Sequence, residues 1–149
     1  MVKVEARVVI KRPVEEVFAF ATTPHNAPQW QSGVVEGKQT SPGPLGVGTT
    51  LYFAGRFLGR RVTSRSAITA YEPPHKAAFK QLSGSFRSFV ATLLCEPREG
   101  GTRVIGVTEV DVGGLLKVGE PLIRRLLQRQ IQGNFETLKD LLEGASSTS

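Results

Sequence analysis

The chain is poor in reactive side chains. Its 149 residues include one cysteine, one methionine, one tryptophan and two histidines. A single cysteine excludes an intramolecular disulfide and makes the cytoplasm the expected compartment. Cys95 lies in the apolar run TLLCEP with no histidine near it in sequence. It reads as a buried structural thiol rather than a nucleophile. His25 stands in the turn TPHNAP and His75 follows Pro74. Both read as loop ends at the surface, so no catalytic residue is assigned. The chain has no HExxH, no paired CxxC and no carboxylate cluster at ligand spacing. Neither a metal nor a cofactor is expected. No apolar run approaches the roughly 18 residues of a membrane-spanning helix. Charges at Lys3, Glu5 and Arg7 make the first ten residues a poor secretory signal.

Acid is scarce in the middle of the chain. From Gly37 to Cys95 the lone acid Glu72 faces eight lysines and arginines, among them Arg56, Arg61 and Arg65. This segment carries more than the whole formal excess of +6. It reads as a solvated outer sheet face, or as a field that attracts an anionic ligand, an anionic membrane or an acidic partner. Nucleic acid is not expected as a partner. No stacking aromatics interleave with the bases, and no helix-turn-helix or RNA-recognition pattern occurs.

What is present is patterned. A length of 149 residues and an apolar content of 40% suit one globular domain. The expected domain spans 1–143, with 144–149 as a disordered tail. Val2 to Ile10 alternates and reads as a strand. Pro13 then fits a first helical turn, and Glu15 and Glu16 suit its positive dipole. Val14, Val17, Phe18 and Ala21 share one face of that helix, which Thr22-Thr23-Pro24 ends. A second short helix or turn runs from His25 to Trp30. Strand signals follow at 31–40, 49–57, 60–71, 76–82, 85–96 and 102–112, joined by turns such as SPGPLGVG, Leu58-Gly59 and PREGG. Short connections favour one antiparallel sheet. Gly113-Gly114 opens a lead-in, LLKVGE. From Pro121 to Glu143 the apolar residues, Leu122 and Ile123 through Leu141 and Leu142, keep to one broad helical stripe. Leu126, Leu127, Phe135 and Leu138 are expected to anchor this helix on the sheet. Gln130, Gly133 and Asn134 interrupt the stripe. They suggest a helix thinned to admit a ligand, and Ser64, Ser66, Gly106 and Thr108 thin the strands similarly.

These residues resemble the START-like (SRPBCC) superfamily, in particular its polyketide cyclase/dehydrase and lipid-transport branch. The matching pieces are Pro13-Val14-Glu15-Glu16-Val17-Phe18, Trp30, Gly46-Val47-Gly48-Thr49 and Tyr71-Glu72-Pro73-Pro74, then Glu96-Pro97 before Gly101-Thr102, and Leu138-Lys139 with Glu143. In this order they cover almost the whole chain. The resemblance implies an α+β helix-grip fold, a curved antiparallel sheet wrapped around a long C-terminal helix, with an apolar cavity beneath that helix. It does not fix a function, because sites rather than folds carry chemistry.

Strand parity selects Phe53, Phe57, Phe79 and Phe89 for the cavity walls, and the family's placement of its tryptophan adds Trp30. Gln130 and Asn134 are the candidate hydrogen-bonding groups for the ligand. Three functions compete. The first is binding of an apolar small molecule, such as a lipid, quinone or polyketide-like compound. The second is a polyketide cyclase or dehydratase, for which Arg56, Tyr52, Ser64, Ser66 and Thr108 are available. The third is a protein-interaction module that uses the basic sheet face above a collapsed cavity. The basic strands also allow peripheral contact with an anionic membrane.

Overall fold

The computed structural model describes residues 1–113 and 119–146. Most of the expected lead-in (114–118) and the end of the expected tail (147–149) lie outside them. Strand β1 (Val2–Ile10) begins the chain and buries Val2, Val4 and Ala6 while exposing Lys3, Glu5 and Arg7. Two short helices follow, α1 (Val14–Thr22) and, after a single 3-10 turn at Pro24–Asn26, α2 (Ala27–Trp30). Pro13 stands at the entry to α1, and its carbonyl accepts from Val17 N–H at 3.1 Å. Six strands come next: β2 (Val34–Gln39), β3 (Thr50–Phe57), β4 (Arg60–Glu72), β5 (Lys76–Gly84), β6 (Ser88–Arg98) and β7 (Gly101–Asp111). Helix α3 (Glu120–Ser146) closes the chain. It continues through Gly144, where the tail was expected to begin.

The strands form one antiparallel sheet in the order β1-β7-β6-β5-β4-β3-β2. The chain runs inward from β2 to β7 by neighbouring hairpins, and β1 joins β7. Bulges in the β2–β3 and β4–β5 pairings bend the sheet. Its concave face receives α3. The β3–β4 hairpin turns tightly through Leu58 (φ 50°) and Gly59 (φ 80°), the two positive angles of a two-residue turn.

Helix α3 buries Ile123, Leu127, Phe135, Leu138 and Leu142. Leu122 and Leu141 lie outside this narrower stripe and are 47% and 38% exposed. They neighbour Ile123 and Leu142 in sequence, and one residue turns a helix by about 100°. Gly133 also points outward. It does not thin the buried side, and a larger side chain there would not fill the interior.

Two apolar clusters hold helix to sheet. One surrounds α1 and the C-terminal half of α3 and includes Ile10, Val17, Phe18, Cys95, Phe135 and Leu138. The other joins Val2, Val4, Phe57 and Val110 to Ile123 and Leu127. Among the described residues only Ile131 is packed against both.

Polar side chains of α3 also cover the exposed edge of β1. Gln128 Nε2 donates to the Glu5 carbonyl at 2.6 Å and Gln132 Nε2 to that of Arg7 at 2.8 Å. Lys139 Nζ donates to the Val9 carbonyl at 3.0 Å, and Lys11 N–H donates to Glu143 Oε2 at 2.9 Å. The spacing matches: fifteen helical residues rise about 22 Å and six strand residues span about 20 Å. A strand edge that would otherwise recruit another strand is thus occupied from within. The hydrogen bond from Lys139, then that from Lys11, holds the Glu143 carboxyl below its ordinary pKa.

Gly106 lets α3 approach the sheet. A methyl group there would overlap the Phe135 ring. Gly106→Ala is therefore expected to cost about 1–3 kcal/mol of stability. In urea denaturation, combining it with Phe135→Leu should cost less than the two single changes added together. Strict additivity would show that the ring is not the obstacle.

Candidate functional site: a cavity beneath the C-terminal helix

Where the two apolar clusters part, the concave face carries small and polar side chains. Ser64 and Ser66 on β4, Ala91 on β6 and Gly106 and Thr108 on β7 leave a cavity of about 280 Å3 under α3. Phe53, Phe57, Phe79 and Phe89 line it from the strands. Trp30 lines it from α2, and Gln130 and Asn134 from α3. All seven residues selected from the sequence thus border one space. Leu127, Ile131 and Phe135 complete the helical side.

The aromatic walls are ordered by mutual contact. Trp30 stacks on Phe135 with centroids 5.9 Å apart and planes at 23°. At the other end Phe86 meets Phe57 edge-on at 5.8 Å and stacks on Phe89 at 5.9 Å. Phe86 also lines the cavity, which the sequence reading missed. A strand beginning at Ser85 would place Phe86 and Phe89 on opposite faces. The turn before Ser88 breaks that alternation, and the Phe86 carbonyl is tied down by Gln81 Nε2 at 2.7 Å.

Gln130 and Asn134 do more than border the space. Asn134 Oδ1 accepts from Ser32 N–H and from Ser32 Oγ, both at 2.9 Å. Gln130 Nε2 donates to the Ser32 carbonyl at 2.8 Å. The two amides therefore clamp the strap that joins α2 to β2. The strap rests on β3, where Arg56 N–H donates to the Gly33 carbonyl at 2.7 Å. Gly55 has no side chain to obstruct it, since a Cβ there would overlap that carbonyl. Expecting these amides as free ligand contacts left out their protein partners. Gln130 Nε2 and Asn134 Oδ1 are occupied, whereas Asn134 Nδ2 has no partner among the described residues.

Little in the walls can titrate. Among the described residues that line the cavity there is no carboxylate, imidazole or thiol, and Arg56 is the only charged one. Cys95 is buried in the core, where desolvation pushes its thiol up to about 12. It stays protonated at neutral pH and is no nucleophile. His25 and His75 are exposed and do not line the cavity. Ser64 and Ser66 hydrogen-bond each other at 3.0 Å between their hydroxyl oxygens. The arrangement can enclose and orient a molecule, but it offers no evident acid–base pair.

Known proteins give the same fold. The family model for polyketide cyclase/dehydrase and lipid transport matches residues 1–143. No curated protein matches the chain. Among solved structures, a protein from Thermus thermophilus superposes with a TM-score of 0.81 at 20% identity, covering 97% of this chain and 99% of its own. A START superfamily protein from Mycobacterium smegmatis gives 0.83 at 15% identity, covering 96% and 98%. The di-domain ARO/CYC StfQ of the steffimycin biosynthetic pathway gives 0.76 at 17% identity, covering 98% of this chain and 52% of its own. Curved sheet, gripped helix and connectivity are thus the helix-grip fold of START-like proteins. No helix among the described residues is long and apolar enough to cross a membrane.

Proposed function

Because the chain belongs to the polyketide cyclase/dehydrase and lipid transport family, we propose that it binds an apolar small molecule, such as a lipid, quinone or polyketide-like compound, in the cavity beneath α3. One observation carries this reading: an aromatic-walled space of about 280 Å3 whose described lining holds no carboxylate or imidazole. Its size lies near the lower end of small-molecule sites, and apolar walls with few polar groups are their usual chemistry. Cyclase or dehydratase activity in the same space would have to rely on hydroxyls and amides, because Arg56 borders the space but alternates with Phe57 onto the opposite face of β3, so binding is the better supported function. A module with a collapsed cavity is disfavoured by the open volume.

The partner surface extends to the convex side. Arg56 and Arg61 face each other across the β3–β4 hairpin, and Arg65 faces Tyr52. The three arginines are exposed and form no ion pair among the described residues. Like charges directly opposed on a sheet are unfavourable unless something anionic lies against them. Leu58 projects beside them at the turn, 45% exposed. Peripheral contact with an anionic membrane fits this combination of charge and apolar tip.

Two measurements test the proposals. N-phenyl-1-naphthylamine, a neutral apolar fluorophore, is expected to brighten on binding. Ala91→Leu, which adds bulk to the cavity floor, should weaken that binding at least several-fold in a protein that still melts cooperatively. Unchanged affinity would place the fluorophore elsewhere. For the membrane contact, vesicles of phosphatidylcholine with and without phosphatidylglycerol are compared by co-sedimentation. Binding should require the anionic lipid and fall between 0.1 M and 1 M salt, as the Debye length shrinks from about 10 Å to about 3 Å. Equal sedimentation with both vesicles at low salt would leave the arginines as a solvated face.

A further inference from the structure

The cavity holds hydrogen-bond donors that the protein itself does not satisfy. Asn134 and Thr108 are 9% and 8% exposed, and both line the space. The orientation of the Asn134 amide is fixed. The Ser32 backbone N–H can only donate, so the atom it meets must be the amide oxygen. Nδ2 then remains as a donor with no partner among the described residues. The Thr108 hydroxyl is likewise without a partner there. Trp30 Nε1 is also without an acceptor, but it is sealed from the cavity and no ligand reaches it there.

These groups lie on three elements but gather around Phe135. Trp30 stacks on its ring, Asn134 precedes it in α3, and Thr108 is the next residue on the same strand face after Gly106, which the ring covers. The wall hydroxyls Ser64 and Ser66 hydrogen-bond each other rather than either of these donors. Asn134 Nδ2 and Thr108 Oγ1 face the cavity and are open to a molecule bound in it. That molecule must bring a lone pair. It must also be neutral, because a buried carboxylate needs a cation close by, and Arg56, the only charged residue among the described lining, is exposed and alternates with Phe57 onto the opposite face of β3.

We propose that the bound molecule carries an uncharged carbonyl oxygen, as in a ketone, quinone or ester, held by Asn134 Nδ2 and Thr108 Oγ1. Its apolar remainder extends toward Phe57, Phe86 and Phe89. This inference rests on the apolar-binding function proposed above and assigns the ligand a polarity and a direction.

A matched set of probes separates the two proposals. Fluorene and 9-fluorenone have the same shape and differ by a methylene against a carbonyl, and fluorene-9-carboxylate adds a charge. Each is titrated against bound N-phenyl-1-naphthylamine. Fluorene is expected to displace it, 9-fluorenone to do so about tenfold more tightly, and the carboxylate most weakly. Thr108→Val keeps the size of the side chain and removes the hydroxyl, and it should cut the preference for 9-fluorenone over fluorene, read as the ratio of the two affinities. Asn134→Asp keeps an oxygen for Ser32 but sets a carboxylate in the wall, so it should lower the affinity of both probes, and Thr108→Val decides the matter. Equal affinity for fluorene and 9-fluorenone would overturn the carbonyl site and leave apolar binding intact. Tightest binding of the carboxylate would overturn its neutrality. Failure of every probe to bind would overturn both proposals together.

Discussion

Side-chain hydrogen bonds from one helix to both margins of the sheet determine most of this structure. A seven-stranded sheet that curls without closing leaves β1 and β2 as edges. Helix α3 reaches the β1 edge through Gln128, Gln132, Lys139 and Glu143. From its other flank Gln130 and Asn134 reach Ser32, at the strap that leads into β2. The helix thereby bridges the two margins that main-chain pairing cannot join. Amides suit the task because each offers a donor and an acceptor, as the backbone does. Gln132 uses both against Arg7, donating to its carbonyl and accepting from its N–H at 3.4 Å.

The cavity follows from that bridge. A helix held at both sides cannot settle into the middle of the concave face, where Ser64, Ser66, Ala91 and Thr108 are too small to fill the gap. Leu127 and Phe135 pack at the two ends, and among the described residues only Ile131 reaches into both clusters. The same constraint explains why the walls are chemically quiet. The groups most able to move protons, His25, His75 and Cys95, lie outside them. What remains is shape, aromatic surface and a few fixed donors, the equipment of a binding site.

Much of this was legible in the residues. Alternation in β1, Pro13 with Glu15 and Glu16, the hairpin turn at Leu58-Gly59 and the apolar spacing of α3 each act locally, and the local signal agrees with the final fold. Parity placed Phe53, Phe57, Phe79 and Phe89 on one face because their strands are regular there. It failed at Phe86, where a turn resets the alternation. The helical stripe of α3 misled at Gly133, since a residue one position from the buried Asn134 can point to solvent. The amides of Gln128, Gln132, Gln130 and Asn134 showed only that polar groups sat beside an apolar stripe. Their partners lie about 100 residues or more away in sequence, and no local pattern specifies such a pairing.

The central claim is that the space under α3, between the two clusters, receives an apolar molecule. The most direct measurement is a set of intermolecular nuclear Overhauser contacts between bound N-phenyl-1-naphthylamine and methyl-labelled protein. The account expects contacts to the methyls of Val62, Leu93, Leu127 and Ile131, which line the cavity from the sheet and from the helix. Contacts confined to the exposed leucines Leu58, Leu82 and Leu122, with none to those four, would contradict it.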